Sequence, residues 1–157
     1  MIYPLKAMPM RFANTYCSYF FVCSQFLCLT ILLWTGPILA DPGVYRIVEW
    51  GAIALGLWAL LTMRRGVLRI LPDVAADAIL VSQGPYRFIR HPMYTSVILL
   101  MTALVFNSPS AMRYATLSML YCVLLGKLLY EEKLLKKSFA GYQEYCKTTW
   151  RLLPFIF

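Results

Sequence analysis

Residues 16–40 read YCSYFFVCSQFLCLTILLWTGPILA, a stretch without one Asp, Glu, Lys or Arg, closed by Asp41-Pro42-Gly43. A helix needs about 20 apolar residues to cross the roughly 30 Å hydrocarbon core of a bilayer, and this run exceeds that length. Ala40 would suit a cleavage site, but the run is too long for the about 7–15-residue apolar core of a cleavable leader, so it is expected to stay as a membrane span. Working outward, a second apolar span covers 45–63, with Glu49 near its outer end, and stops at Arg64-Arg65-Gly66. A third follows His91-Pro92 and runs to 107, where Ser108-Pro109-Ser110 makes a tight connection to a fourth over 111–130, ended by Glu131-Glu132-Lys133. The expected fold is an all-α integral membrane protein of about four transmembrane helices, the third the shortest. It forms one domain over 1–157, with two spans in 1–63 and the polar clusters in 64–157.

Composition agrees. Hydrophobic residues make up 61% of the 157 and charged residues 14%, with a mean hydropathy of +0.64; soluble domains carry about 45–50% and 25%. A chain this short has too much surface to hide so much apolar area from water, so its solvent is lipid. Fifteen basic residues against seven acidic give +8. The basic residues fall in short clusters between apolar runs, which fits a membrane surface and not the stripe of a nucleic-acid protein. Cys17, Cys23, Cys28, Cys122 and Cys146 form no C-x-x-C pair, so neither a metal site nor a disulfide framework is expected, and their expected role is packing inside the bundle.

Cytoplasmic loops of membrane proteins carry an excess of Lys and Arg. The arm before the first span holds Lys6 and Arg11; the 64–92 connection holds Arg64, Arg65, Arg69, Arg87 and Arg90; the last part holds Lys127, Lys133, Lys136, Lys137, Lys147 and Arg151. Only Arg46 and Arg113 fall in the two opposite loops. Four spans put the three basic segments on one side, which predicts both termini in the cytoplasm. Within the 64–92 connection, 67–81 is weakly apolar but interrupted by Pro72, Asp73 and Asp77, as expected of an interfacial segment. Leu134, Leu135, Phe139, Tyr142 and Tyr145, interleaved with Lys136, Lys137, Gln143, Glu144 and Lys147, predict an amphipathic surface helix.

Polar side chains concentrate in two places, 83–94 (QGPYRFIRHPMY) and Tyr130-Glu131-Glu132 with the tail after it. Both lie at the cytoplasmic ends of spans. Pro92 suits the first turn of a helix and leaves His91 at its cap, with free backbone N–H groups able to receive an anion. His91 and Tyr94, three apart, share a helical face, and Arg87 and Arg90 precede them, so a ligand carboxylate is expected there. Glu131 and Glu132 supply the opposite sign, although a helix C-terminus disfavours acids, and Lys127 is correctly spaced to pair with Glu131. An anion cradle, a carboxylate for a cation and nearby aromatics suit a zwitterionic, positively charged small molecule. No G-x-G-x-x-G is present to bind a nucleotide in a Rossmann fold.

Gly84-Pro85-Tyr86, Arg90-His91-Pro92-Met93-Tyr94, Glu131-Glu132 and Leu153-Pro154-Phe155-Ile156, in this order, resemble the isoprenylcysteine carboxyl methyltransferase family and its relatives, the phospholipid N-methyltransferases. The resemblance covers roughly 80–156. It implies a multi-pass enzyme that binds S-adenosylmethionine at the cytoplasmic face of a bacterial inner membrane or an endoplasmic-reticulum-like membrane and methylates a lipophilic or lipid-linked acceptor, without metal or nucleic acid. By position it implies that His91, Tyr94 and Glu131 or Glu132 hold the cofactor, helped by Leu80, Val81, Gly84 and Tyr86. Arg90, Tyr145 and Arg151 then fall on the acceptor side, with Arg90 or Arg151 orienting a carboxylate acceptor and Glu132 or His91 serving as base for an amine. The pattern differs at Ser96, where such families have glycine, and in the tail 139–145, which is one residue shorter than usual. A thiol acceptor is a further reading, and a non-catalytic accessory membrane subunit is the alternative from another class.

Overall fold

The computed structural model describes residues 15–63 and 80–154. Lys6, Arg11, Arg64, Arg65, Arg69, most of the 67–81 segment, Phe155 and Ile156 lie outside them. The described chain is helical: α1 (Thr15–Trp34), α2 (Val44–Met63), a 3-10 turn (Gly84–Arg87), α3 (Pro92–Asn107), α4 (Ala111–Ser138) and the short α5 (Tyr142–Thr148). α1, α2 and α4 are long and apolar enough to cross a membrane. α3 has 16 residues; at 1.5 Å per residue it rises about 24 Å, short of the hydrocarbon core.

Two boundaries differ from expectation. The first span stops at Trp34, not 40, because Pro37 cannot continue a helix and the chain turns at Gly36. The last helix continues eight residues past 130, to Ser138, since no breaker precedes Gly141 and Lys136 and Lys137 suit the negative end of the helix. Glu131 and Glu132 therefore sit inside α4, away from the unfavourable terminus.

Packing runs in two pairs: α2 lies along α3 and α1 along α4, with α3 against α4 and little contact between α1 and α2. Cys28, Leu32, Met101, Leu104, Val105, Leu117, Leu120 and Leu124 form the central core. Of the cysteines in α1 only Cys28 is buried; Cys17 and Cys23 are exposed, as is Cys122, so these three face outward instead of packing inside the bundle. Ser96, where a glycine was expected, faces α2 and not the polar clusters: its hydroxyl donates to Ala52 O at 2.8 Å, beside Gly56, whose hydrogen leaves the room a side chain would take.

The end of the bundle holding the 35–43 and 108–110 connections is tied by buried charge. Glu49 accepts from Ala40 N–H at 3.0 Å, while Arg113 donates to Ser108 O at 2.7 Å and Leu104 O at 3.0 Å, capping the last carbonyls of α3. At the opposite end the C-terminal tail folds back over the start of α3. Trp150 N–H donates to Phe88 O, Arg90 N–H to Trp150 O and His91 N–H to Arg151 O, a short parallel bridge, and Thr95 Oγ1 adds a bond of 2.7 Å to Leu152 O.

Candidate functional site

The two polar clusters meet at this tail-covered end. Pro92 starts α3 and His91 caps it, so the ring of His91 stacks on Tyr94 with centroids 5.4 Å apart and planes within 3°. α4 brings its consecutive glutamates to the two sides of the imidazole: Glu131 Oε2 lies 3.8 Å from Nδ1 and Glu132 Oε1 3.7 Å from Nε2. These distances exceed a hydrogen bond. His91 Nε2 is buried and has no hydrogen-bond partner.

The glutamates then part company, as neighbours about 100° apart on a helix must. Glu131 accepts from the Tyr94 hydroxyl at 2.6 Å and lines a cleft of about 250 Å³ with Gln25, Phe26, Met63, Tyr86, His91 and Lys127. Glu132 is the centre of an ion-pair cluster: Arg90 Nε donates to Oε1 at 2.9 Å and Arg151 Nε to Oε2 at 3.1 Å. Arg90 also donates through Nη1 to the carbonyls of Cys146 and Thr149. Arg90 touches the cleft, but its side chain ties the tail to α4, as does Arg151.

At the start of α3 some of the backbone donors expected to cradle an anion have partners within the chain. His91 N–H goes to Arg151 O, and the N–H groups of Tyr94 and Thr95 turn back to His91 O. The tail lies against the helix end that a ligand carboxylate was expected to occupy; of Arg87 and Arg90, expected beside it, Arg90 is engaged by Glu132 and Arg87 lines a hollow outside the cleft. Nor does Lys127 pair along its own helix with Glu131. It reaches across to α1, donating to Gln25 Oε1 at 3.0 Å, with Nζ 5.3 Å from the centre of the Tyr94 ring.

The other expected residues surround this centre. Tyr86 lines the cleft; Gly84 sits against α2 with φ +57°, where a Cβ would approach Thr62 Oγ1 to 2.6 Å. Leu80 packs on Phe139 and Tyr142, and Val81 beside it is half-buried. Leu80 and Tyr145 line a second hollow of about 400 Å³ with Arg87 and Glu144, outside the cleft. Tyr145 donates to Tyr86 O at 2.6 Å and so braces the 3-10 turn. Burial raises the phenols of Tyr86, Tyr142 and Tyr145 well above their ordinary value, Glu131 adding to the effect at Tyr86, so all three are neutral hydroxyls at physiological pH.

Gln25, Phe26, Met63 and Lys127 as cleft residues were not found from chain spacing. A signal did exist, since a Gln in the middle of one apolar span and a Lys inside another are polar groups where lipid makes them costly.

Comparison with known proteins gives one finding that bears on this geometry. Residues 44–141, from the start of α2 to the start of the tail, match the phospholipid methyltransferase family. No curated protein matches the chain.

Proposed function

The chain belongs to the phospholipid methyltransferase family, a family of membrane methyltransferases, and from that premise we propose that it transfers a methyl group from S-adenosylmethionine to the carboxylate of a lipophilic, isoprenylcysteine-type acceptor. The observation that carries the reading is the pairing of His91, Tyr94 and Glu131 in one cleft, next to helices able to cross a membrane.

The donor set fits the cofactor. His91 Nε2 is a buried polar atom without a partner, Glu131 offers a carboxylate to a cation, and Tyr86 and Tyr94 offer aromatic surface to positive charge. When bound, S-adenosylmethionine supplies an electrophilic methyl group whose departure leaves a neutral thioether. The work of the protein is to hold two reactants in line, about 3–3.5 Å apart, and to keep water out. His91, Tyr94 and Glu131 hold the cofactor, while Arg90, Glu132 and Arg151 position the tail that covers them. Tyr86 closes the side of the cleft and is itself fixed by Tyr145.

A carboxylate acceptor is already an anion at neutral pH and needs orientation but no base. The family's description favours a second reading, methylation of the amine of a phospholipid. That acceptor must lose a proton, and His91 and Glu131, both on the cleft, are the groups able to take it.

The test supplies the purified protein with methyl-labelled S-adenosylmethionine and its own membrane extract, with His91→Ala as control. Label released as methanol by mild base identifies a carboxyl methyl ester. Base-stable label in lipid moves the acceptor to nitrogen. Equal labelling by wild type and His91→Ala defeats the assignment of this cleft.

A further inference from the structure

We infer that Lys127, oriented by Gln25, grips an anionic oxygen of the methyl acceptor, a carboxylate or a lipid phosphodiester, and thereby selects the acceptor; the inference rests on the methyltransferase reading of the cleft given above. Lys127 is 4% exposed and lies one helical turn from Glu131 on α4, deeper into the bundle. Its hydrogen-bond partner is a neutral amide, Gln25 Oε1; the Glu131 carboxylate acts on it through space, and none of the ion pairs within 4.0 Å among the described residues includes it. Glu131, the only acid on the cleft among the described residues, has its Oε1 on Tyr94 and its Oε2 facing His91. An ammonium has three N–H bonds; one is used by Gln25, and the Tyr94 ring 5.3 Å away stabilises the charge without neutralising it. A cation kept in an apolar bundle beside a neutral partner retains donors for an anion that arrives with a ligand.

The acceptor, and not the cofactor, is the ligand that meets it. The cleft is also lined by Phe26, Met63 and Val97, apolar groups suited to a lipid chain, and it draws on both α1 and α2, which do not pack along each other. His91 and Glu131 line the same cleft nearer its tail-covered end. A lipid entering between α1 and α2 then places its apolar chain on Phe26 and Val97 and its anionic group at Lys127, one turn from Glu131. Gln25 belongs to α1, which precedes the 44–141 family match, so part of this selectivity is supplied from outside the matched portion.

The experiment uses the full chain in lipid nanodiscs with three probes: N-acetyl-S-farnesylcysteine for the carboxylate, phosphatidylethanolamine for the phosphodiester, and the amide of the farnesylcysteine as a neutral control. Probe binding is measured by displacement of a labelled lipid, independently of turnover, alongside S-adenosylmethionine binding and steady-state kinetics. Lys127→Met is expected to weaken binding of one anionic probe, and raise its KM, at least tenfold, with kcat within threefold, cofactor affinity within twofold and the neutral control unmoved. Lys127→Arg recovers most of the loss, and Gln25→Leu raises KM about threefold; the latter carries the test should Lys127→Met not fold. The probe that responds identifies the source of the anion. Weakened cofactor binding with acceptor KM unmoved, or equal binding of anionic and neutral probes by wild type and variants, overturns the inference. Anion binding that depends on Lys127 without methyl transfer by the wild type overturns the methyltransferase reading instead and leaves the anion site standing.

Discussion

Glu131 and Glu132 are adjacent in the chain and opposite in effect. Glu131 keeps a hydroxyl partner and a place on the cleft, whereas Glu132, 4% exposed at its side chain, has one oxygen on Arg90 and the other on Arg151. Removing one member of a buried ion pair leaves the other charge uncompensated, which costs about 3–5 kcal/mol. Glu132→Gln is therefore expected to lower the thermal midpoint in detergent on the order of 10 °C, at about 2–4 °C per kcal/mol for a chain of this size. Glu131→Gln, whose amide oxygen still accepts from Tyr94, is expected to keep that midpoint within a few degrees and to weaken S-adenosylmethionine binding tenfold or more. Thermal melts and binding isotherms on the two proteins check the division; cofactor affinity lost in Glu132→Gln at an unchanged midpoint would reverse the roles. At this scale the motif residues are legible in the sequence because His91 and Tyr94 share a helical face and Glu131 lies a fixed distance along one helix. Lys127 with Gln25 is not, because 102 residues separate them and only the folding of α1 onto α4 makes them neighbours.

The tail shows what an element adds. Phe139 and Tyr142 bury themselves against Leu80 and Leu135, and the chain then returns along Phe88–Arg90 to close the site end. The spacing of apolar residues in 134–145 shows that this segment is amphipathic, but not that it splits into the end of α4 and a separate α5, since the break comes from extended backbone at Phe139 and the turn after it, not from a change of pattern. Two tyrosines in this cap make a paired test. Tyr145 donates to Tyr86 O, so Tyr145→Phe is expected to cost about 0.5–1.5 kcal/mol and to loosen the 3-10 turn. The Tyr142 hydroxyl is buried without a partner, so Tyr142→Phe is expected to be neutral or to stabilise by about 1 kcal/mol. Both phenols are raised by burial in the folded chain, so their contribution is complete below the ordinary phenol pKa of about 10 and is lost as pH rises toward the folded values. Tyrosinate absorbance followed against pH is expected to rise late and together with loss of the cap; a simple titration at the ordinary value for all tyrosines would contradict this packing.

Across the whole molecule, charge is distributed by end. The helix directions put the start of α1, the end of α2, the start of α3 and the end of α4 together with the cleft, and with them Arg87, Arg90, Lys133, Lys136, Lys137, Lys147 and Arg151. The opposite end has Arg46 and Arg113, and both are taken up in holding the chain: Arg46 on Ala40 O beside Glu49, Arg113 on the last carbonyls of α3. Their presence there has a structural cause, so they do not weaken the asymmetry from which orientation is read. This is why the helical plan and the uneven charge of its two ends are legible from apolar run lengths and Lys and Arg positions alone, while the sparse contact between α1 and α2 is not: run length says nothing about which helices pair. The asymmetry predicts that the cleft faces the cytoplasm. In bacterial expression, a green fluorescent protein fused after Phe157 is expected to fluoresce and an alkaline phosphatase fused at the same point to stay inactive. Moving two lysines from 136–137 into the 108–110 connection is expected to weaken that bias. An active phosphatase in the unaltered chain would place the cleft on the other face, away from a cytoplasmic supply of S-adenosylmethionine, and would count against the proposed reaction as well as the topology.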